Sequence, residues 1–194
     1  MTTAAEPNPD AALSPTAPHD PFAALAPALE KLAAAVGPEG EGFTVERFRD
    51  NLRVRVHPTR LLNALTTLKT QDGFAMLAEL GATDYLGYPG RPATAPRFEV
   101  HYVLRDLDEN RMIIVKTGVD DPDPALPSVT HLWRGADWME REVFDLFGIT
   151  FLNHPDLRRI LLPDEFESYP LRKDYPLRGR GERHNLPRIT RAES

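Results

Sequence analysis

Two stretches of this sequence alternate apolar and polar residues strictly, and that period limits what the chain can become. In Leu52-Arg53-Val54-Arg55-Val56, Leu52, Val54 and Val56 share one side while Arg53 and Arg55 share the other. That is the pattern of a strand with one buried face. Phe98, Val100, Tyr102 and Leu104 repeat it, and beyond a polar stretch from Asp106 to Asn110 comes Met112-Ile113-Ile114-Val115, so the pair reads as an antiparallel hairpin. Between the two alternating runs, Pro58 and Thr59 stop the first strand and offer an N-cap to a helix with Leu61, Leu62, Leu65 and Leu68 on one stripe. The order strand, helix, strand, strand, helix predicts an α+β fold, a mainly antiparallel sheet with helices on one face. An extended C-terminal segment with little regular structure is expected to follow it.

Composition narrows the chemistry. The 194 residues include 19 prolines and no cysteine, which excludes a disulfide framework, a cysteine zinc site, a thiol nucleophile and an iron–sulfur cluster held by this chain's own side chains. The longest apolar runs, such as Met112 to Val115, fall far short of the roughly 18 to 20 residues of a membrane span. No basic stretch followed by an apolar one opens the chain, so a soluble cytoplasmic polypeptide is expected.

Proline and charge are unevenly spread. Residues 1–40 hold 7 of the 19 prolines and 12 alanines, too little bulk to order themselves. Only Phe22, Leu25, Leu29, Leu32 and Val36 fall at helical spacing, with Pro27 tolerable only in a first turn. From Leu171 to Arg191 there are 7 basic and 2 acidic residues, a local charge of +5, while residues 1–170 carry 16 − 26 = −10. The chain therefore divides into a largely disordered Pro/Ala-rich extension (1–40), an α+β domain (41–150) and an extended basic segment (151–194) suited to docking on partners.

A helix from His131 to Phe147 is expected, closed by Gly148. On a wheel centred on Met139, Leu132, Ala136, Val143, Leu146 and Phe147 form the core stripe. Glu140 and Glu142 then point to opposite borders of that stripe and cannot act as a carboxylate pair, while Arg141 projects away from the core into water. After the helix, prolines exclude any long helix, yet Phe166, Tyr169, Leu171, Tyr175 and Leu177 interleave with charge. Such aromatic content argues for a segment laid along a surface. The six histidines are scattered without helical pair spacing, which disfavours a metal at His154 and Asp156. His154 before Pro155 is expected to hydrogen-bond backbone in a turn or to contact a partner. Nucleic acid is disfavoured by the acidic body, and from Arg178 onward a solvated basic tail is the plain alternative.

The run Glu140-Arg141-Glu142-Val143-Phe144-Asp145-Leu146-Phe147-Gly148-Ile149, followed by His154, Arg158 and Ile160-Leu161, resembles the signature of the 30 kDa subunit family of bacterial NADH-quinone oxidoreductase, which is respiratory complex I or type I NADH dehydrogenase. Pro170-Leu171-Arg172-Lys173-Asp174-Tyr175-Pro176 is similar to the family's second block. Asp84-Tyr85, Phe98 to Tyr102, Pro127 to Thr130, Trp133 and Trp138 extend the likeness to roughly residues 43–178.

The resemblance implies a non-catalytic subunit of the peripheral arm of a proton-translocating complex on the cytoplasmic side of the membrane. It implies no catalytic residue, cofactor or metal on this chain, within an assembly that carries FMN and iron–sulfur clusters and uses NADH and quinone. The quinone-site and cluster-bearing subunits are the implied partners. Glu140, Arg141, Glu142, Asp145, His154, Arg158, Arg172, Lys173, Asp174 and Tyr175 are the implied interface. An equivalent subunit of a membrane-bound nickel–iron hydrogenase or an F420H2 dehydrogenase is the alternative.

Overall fold

The computed structural model describes residues 22–181. The elements run α1 (Ala26–Val36), β1 (Phe43–Phe48), β2 (Asn51–Val56), α2 (Pro58–Asp72), β3 (Met76–Asp84), β4 (Phe98–Asp106), β5 (Arg111–Val119), β6 (Ala125–Pro127), α3 (Ala136–Phe147) and β7 (Thr150–Leu152). Five strands form one sheet in the order β1-β2-β5-β4-β3, and β6 pairs with β7 in a second. Three of the four neighbours in the large sheet are antiparallel, among them the expected β4–β5 hairpin with Tyr102 opposite Val115. The fourth, β2 with β5, is parallel and sets Val54 against Val115.

Alternation does what the sequence requires of it. Leu52, Val54 and Val56 of β2, Phe98, Val100, Tyr102 and Leu104 of β4, and Ile113 and Val115 of β5 are all buried. Against them lie Leu61, Ala64, Leu65 and Leu68 of α2. The cap of α2 falls earlier than Thr59: His57 is the N-cap and its Nδ1 accepts from the Thr59 amide, with Pro58 in the first turn where a missing N–H costs nothing.

The core reaches back beyond residue 41. In α1, Pro27 occupies the first turn, and Ala28, Leu32 and Val36, with Leu25 at the cap before them, are buried in the same cluster as the sheet, α1 packing on α2. Lys31 Nζ also reaches Asp72 Oδ1 at 2.6 Å. Residues 22–36 thus belong to the folded body and not to a disordered extension, because their apolar positions repeat at helical spacing. Residues 1–21 of the expected disordered stretch lie outside the described residues.

The third helix is shorter than its apolar period suggests. Residues 129–135 turn instead of coiling: the Leu132 and Trp133 amides both donate to the Val129 carbonyl, and Lys69 Nζ donates to the Leu132 carbonyl. The Trp133 indole N–H donates to the Ala75 carbonyl at 3.0 Å. These ties to α2 and to the entry of β3 satisfy groups that a longer helix would otherwise need to pair internally. Among the described residues, no helix is long and apolar enough to cross a membrane.

Placing α1 in the core carries a measurable cost for its removal. Leu32→Ala, at a fully buried site, should lower the unfolding free energy by about 2 to 4 kcal/mol. Urea denaturation of the full chain checks it: a midpoint equal to the parent's would detach α1 from the core.

Candidate functional site

Helix α3 is covered on two sides. Ala136, Glu140, Val143 and Phe147, at spacings of three and four, are buried, while Met139, the expected centre of the stripe, is only half-buried. Arg141 and Asp145 are also buried, which overturns the placement of Arg141 in water. The wheel had no way to show this, since the second cover is polar backbone from residues 154–172 and not an apolar partner.

The contacts are specific. Asp145 Oδ2 accepts from three consecutive amides, Ile160 at 3.0 Å, Leu161 at 2.8 Å and Leu162 at 2.9 Å, and Oδ1 pairs with Arg159 Nη1 at 2.7 Å. Burial by itself raises the pKa of this carboxyl, but the three amides and Arg159 outweigh it and hold it below the usual aspartate range. Arg141 donates from Nε to the Arg158 carbonyl at 3.1 Å and from Nη2 to the Arg159 carbonyl at 3.2 Å, with its guanidinium 5.2 Å from the Trp138 ring centre. One helix face therefore grips both the amides and the carbonyls of a single turn of extended chain.

Gly148 does two things at the helix end. It closes α3 in the left-handed region at φ 73°, with its amide on the Phe144 carbonyl. A Cβ there would also lie 2.5 to 2.8 Å from the Tyr169 ring, so the bare backbone makes room for that aromatic. Arg172 then donates to the Phe147 carbonyl at 2.6 Å and sits 4.9 and 5.0 Å from the Tyr169 and Phe98 ring centres.

A second hub, missed in the sequence, receives the next residues. Arg97 holds Asp84 through Nε–Oδ1 at 3.1 Å and Nη2–Oδ2 at 2.7 Å. It also meets Asp121 at 2.5 Å and Asp174 at 3.0 Å. Asp84 Oδ2 further accepts the Lys173 amide at 2.8 Å. Burial works against the Asp84 charge, and Arg97 with the Lys173 and Leu86 amides more than compensates. Asp84 was visible only as part of the resemblance; nothing in its local pattern marks a buried carboxylate.

The expected interface residues thus divide. Glu140, Arg141 and Asp145 are buried, and the His154 side chain is too; Arg172 is half-buried within this chain. The hydrogen bonds these five side chains make run within the chain. Tyr175 is half-buried, tilted against Phe166 with ring centres 6.2 Å apart. Glu142, Arg158, Lys173 and Asp174 are exposed, Arg158 pairing with Asp156 at 2.9 Å. His154 takes the backbone option: its Nδ1 accepts the Asp156 amide at 3.0 Å and its Nε2 lies 3.2 Å from the Asp137 carbonyl. Apolar side chains stand open on the same elements, Trp138 at 62% and Leu161 at 61% exposure, with Leu152 and Leu171 about half exposed.

Comparisons with known proteins bear on these elements. Residues 54–181 match the family described as respiratory-chain NADH dehydrogenase, 30 Kd subunit. An NADH-quinone oxidoreductase subunit from Roseiflexus sp. (strain RS-1) is 44% identical over 151 residues, 77% of this chain and 82% of the relative. Its counterpart in Geobacter sulfurreducens is 39% identical over 150 residues, 77% and 86% of the two chains. The solved trypsin-resistant fragment of Nqo5 superposes with a TM-score of 0.60 at 36% identity, over 69% of this chain and 99% of the fragment. A chain of the membrane-bound sulfane sulfur reductase, an archaeal respiratory membrane complex, shares the fold, with a TM-score of 0.63 over 83% of this chain and 92% of its own at 21% identity.

One outcome follows from the Asp145 grip and one from Gly148. Because the folded carboxyl titrates below its unfolded value, its contribution is present above the usual aspartate range and disappears as the pH falls through the folded value. Amide exchange at Ile160 to Leu162 should therefore lose protection below about pH 4; protection that persists at full acid protonation contradicts the grip. Gly148→Ala should cost about 1 kcal/mol in the helix cap and, by displacing Tyr169, raise exchange across residues 168–172 while leaving the β4–β5 hairpin protected. Unchanged exchange at 168–172 would show that Tyr169 does not depend on the missing Cβ.

Proposed function

This chain belongs to the family of the 30 kDa subunit of respiratory-chain NADH dehydrogenase, and on that footing we propose that it serves as a non-catalytic structural subunit of the peripheral arm of a proton-translocating NADH-quinone oxidoreductase. The observation that carries this reading is the fate of the signature residues. Glu140, Arg141 and Asp145 direct their hydrogen bonds to the chain's own backbone, for the last two that of the C-terminal segment, so they shape a surface instead of performing a reaction. The surface they shape carries Trp138, Leu152, Leu161 and Leu171 beside Arg158 and Lys173. Large exposed apolar groups interspersed with cations are the composition of a contact surface.

On this reading the chain's contribution to electron transfer is indirect. With no cysteine it cannot supply thiolate ligands to an iron–sulfur cluster, so the clusters reside on neighbouring subunits; the reading places FMN on neighbours as well, with the quinone-site and cluster-bearing subunits as the partners. It reaches the cytoplasmic side of the membrane through them.

Purification of the tagged chain from membranes should retain cluster-bearing partners and NADH-dependent quinone reduction, while the chain alone should show no turnover. NADH oxidation by the isolated chain would defeat the structural reading, and a co-purifying nickel subunit would move it to a related complex. Within the interface, Arg158→Ala with Lys173→Ala should leave the melting temperature of the isolated chain within about 1 to 2 °C, since exposed charges contribute little, yet reduce recovery of the complex. Arg172→Ala should instead lower the melting temperature, because its guanidinium packs inside the chain. Normal assembly by the double variant at physiological salt would remove those two cations from the interface.

A further inference from the structure

Glu140 is buried on α3 with only half of its carboxylate answered. Oε1 accepts the Val129 amide at 2.7 Å, whereas Oε2 has no hydrogen-bond partner. The groups near it come from α3, from β4, from the turn after β6 and from the segment after β7. From α3 itself comes Asp137, one turn earlier and of like charge. From β4 comes Tyr102, fully buried, whose hydroxyl also has no partner. The turn after β6 offers Ser128, which is uncharged and bonded to Thr130 at 3.0 Å. From the segment after β7 comes His154, with Nε2 at 3.9 Å from Oε2 and its side chain fully buried.

The imidazole does not supply a cation here. Its Nδ1 accepts the Asp156 amide, so that nitrogen carries no hydrogen and the ring is the neutral tautomer with the proton on Nε2. That proton faces the Asp137 carbonyl at 3.2 Å, closer than Glu140. Among the described residues, no lysine or arginine forms an ion pair with Glu140; its helix neighbour Arg141 is occupied by the Arg158 and Arg159 carbonyls. A buried carboxylate with an open oxygen, no cation and an acidic neighbour is costly, and the neutral acid is the form such a site accepts. Burial accordingly pushes Glu140 up to about 7, against the opposing pull of Val129 and Ser128.

We propose that Glu140 is a proton-linked latch: the chain from Asn153 to Arg158 lies down on α3 with one proton held on Glu140, and loss of that proton lifts it. The sign follows from linkage. The folded value is raised above the unfolded one, so Glu140's contribution to docking is fully present below the usual glutamate range, falls progressively as pH rises from there, and is gone above about pH 7. Asp145 acts in the opposite direction at the next turn of the same segment, where its lowered value favours docking above the usual aspartate range. The two carboxyls together hold the segment most firmly near the ordinary carboxylate range, and Glu140's contribution is spent by about pH 7. This device concerns the chain's own fold and stands whether or not the assembly proposed above is the right one.

Hydrogen exchange of the full chain from about pH 5 to about pH 8.5, corrected for intrinsic rates, tests it. Opening across residues 150–160 should rise by up to about tenfold per pH unit between about pH 5 and about pH 7 and level off above it, as release of a single proton on opening requires, and Glu140→Gln should abolish the slope with the segment protected throughout. His154→Gln should keep the slope. A flat or falling wild-type profile, a slope that survives Glu140→Gln, or one that vanishes with His154→Gln would each overturn the proposal. Should Glu140→Gln fail to fold, carboxyl carbon NMR of the glutamate-labelled wild-type chain decides: a midpoint between about 6 and 8 supports the latch, and titration of every glutamate below about 5.5 refutes it.

Discussion

The Asp145 carboxylate, with no exposed surface and four hydrogen bonds to the chain that follows it, is the constraint on which the C-terminal half is built. A buried anion left without such donors would cost several kcal/mol, so α3 and the turn at Arg159 to Leu162 are obliged to form together. Arg141 strengthens the obligation by taking the carbonyls of the same stretch. With that turn fixed, the route of the chain over Gly148 to Tyr169 is set, and Arg172 arrives where the carbonyl of Phe147 and the rings of Phe98 and Tyr169 await it. A segment almost without regular structure is thereby given a defined path by charge and backbone instead of by a ladder of its own.

Two arginines, Arg111 buried and Arg97 half-buried, divide the electrostatic organisation of the body. Arg111 joins Asp106 at the β4–β5 turn to Asp72 at the end of α2, and reaches the Ala24 carbonyl before α1. Arg97 joins Asp84 at the end of β3 to Asp121 beyond β5 and to Asp174 of the C-terminal segment. Each arginine opens or precedes a central strand, and each gathers residues far apart in sequence, one tying down the N-terminal helix and the other the C-terminal segment. Their planar, multi-donor heads suit this role better than lysine would.

What could be read in the sequence followed the strength of its periodic signals. The half-buried β2, the β4–β5 hairpin and the leucine stripe of α2 follow directly from residue spacing. β3 was not legible, because Met76 to Asp84 contains alanine and glycine where bulky alternation would mark a strand, and its register is broken by an irregularity between Leu77 and Glu79. α1 was legible as a helix but not as part of the core, since its alanine-rich text resembles the extension before it. The resemblance singled out the block around α3 without showing that its charges bond within the chain. A helical wheel reports the side that meets an apolar layer; Arg141 and Asp145 meet backbone amides and carbonyls, which leave no hydrophobic trace in a sequence.

The parallel pairing of β2 with β5 has a kinetic corollary. Val54 and Val115 are neighbours although 115 − 54 = 61 residues separate them, and the intervening chain contains α2, β3 and β4. The antiparallel pairs on either side form by local closure, whereas this central seam requires a long loop to close before any of its bonds is gained. The two hairpin-containing halves can each begin to order early, but neither owns a closed core until the seam is made. Folding of this chain is therefore governed by the meeting of its halves, and the exposed edges of two unfinished sheets are the surfaces that a newly made molecule must protect in the meantime.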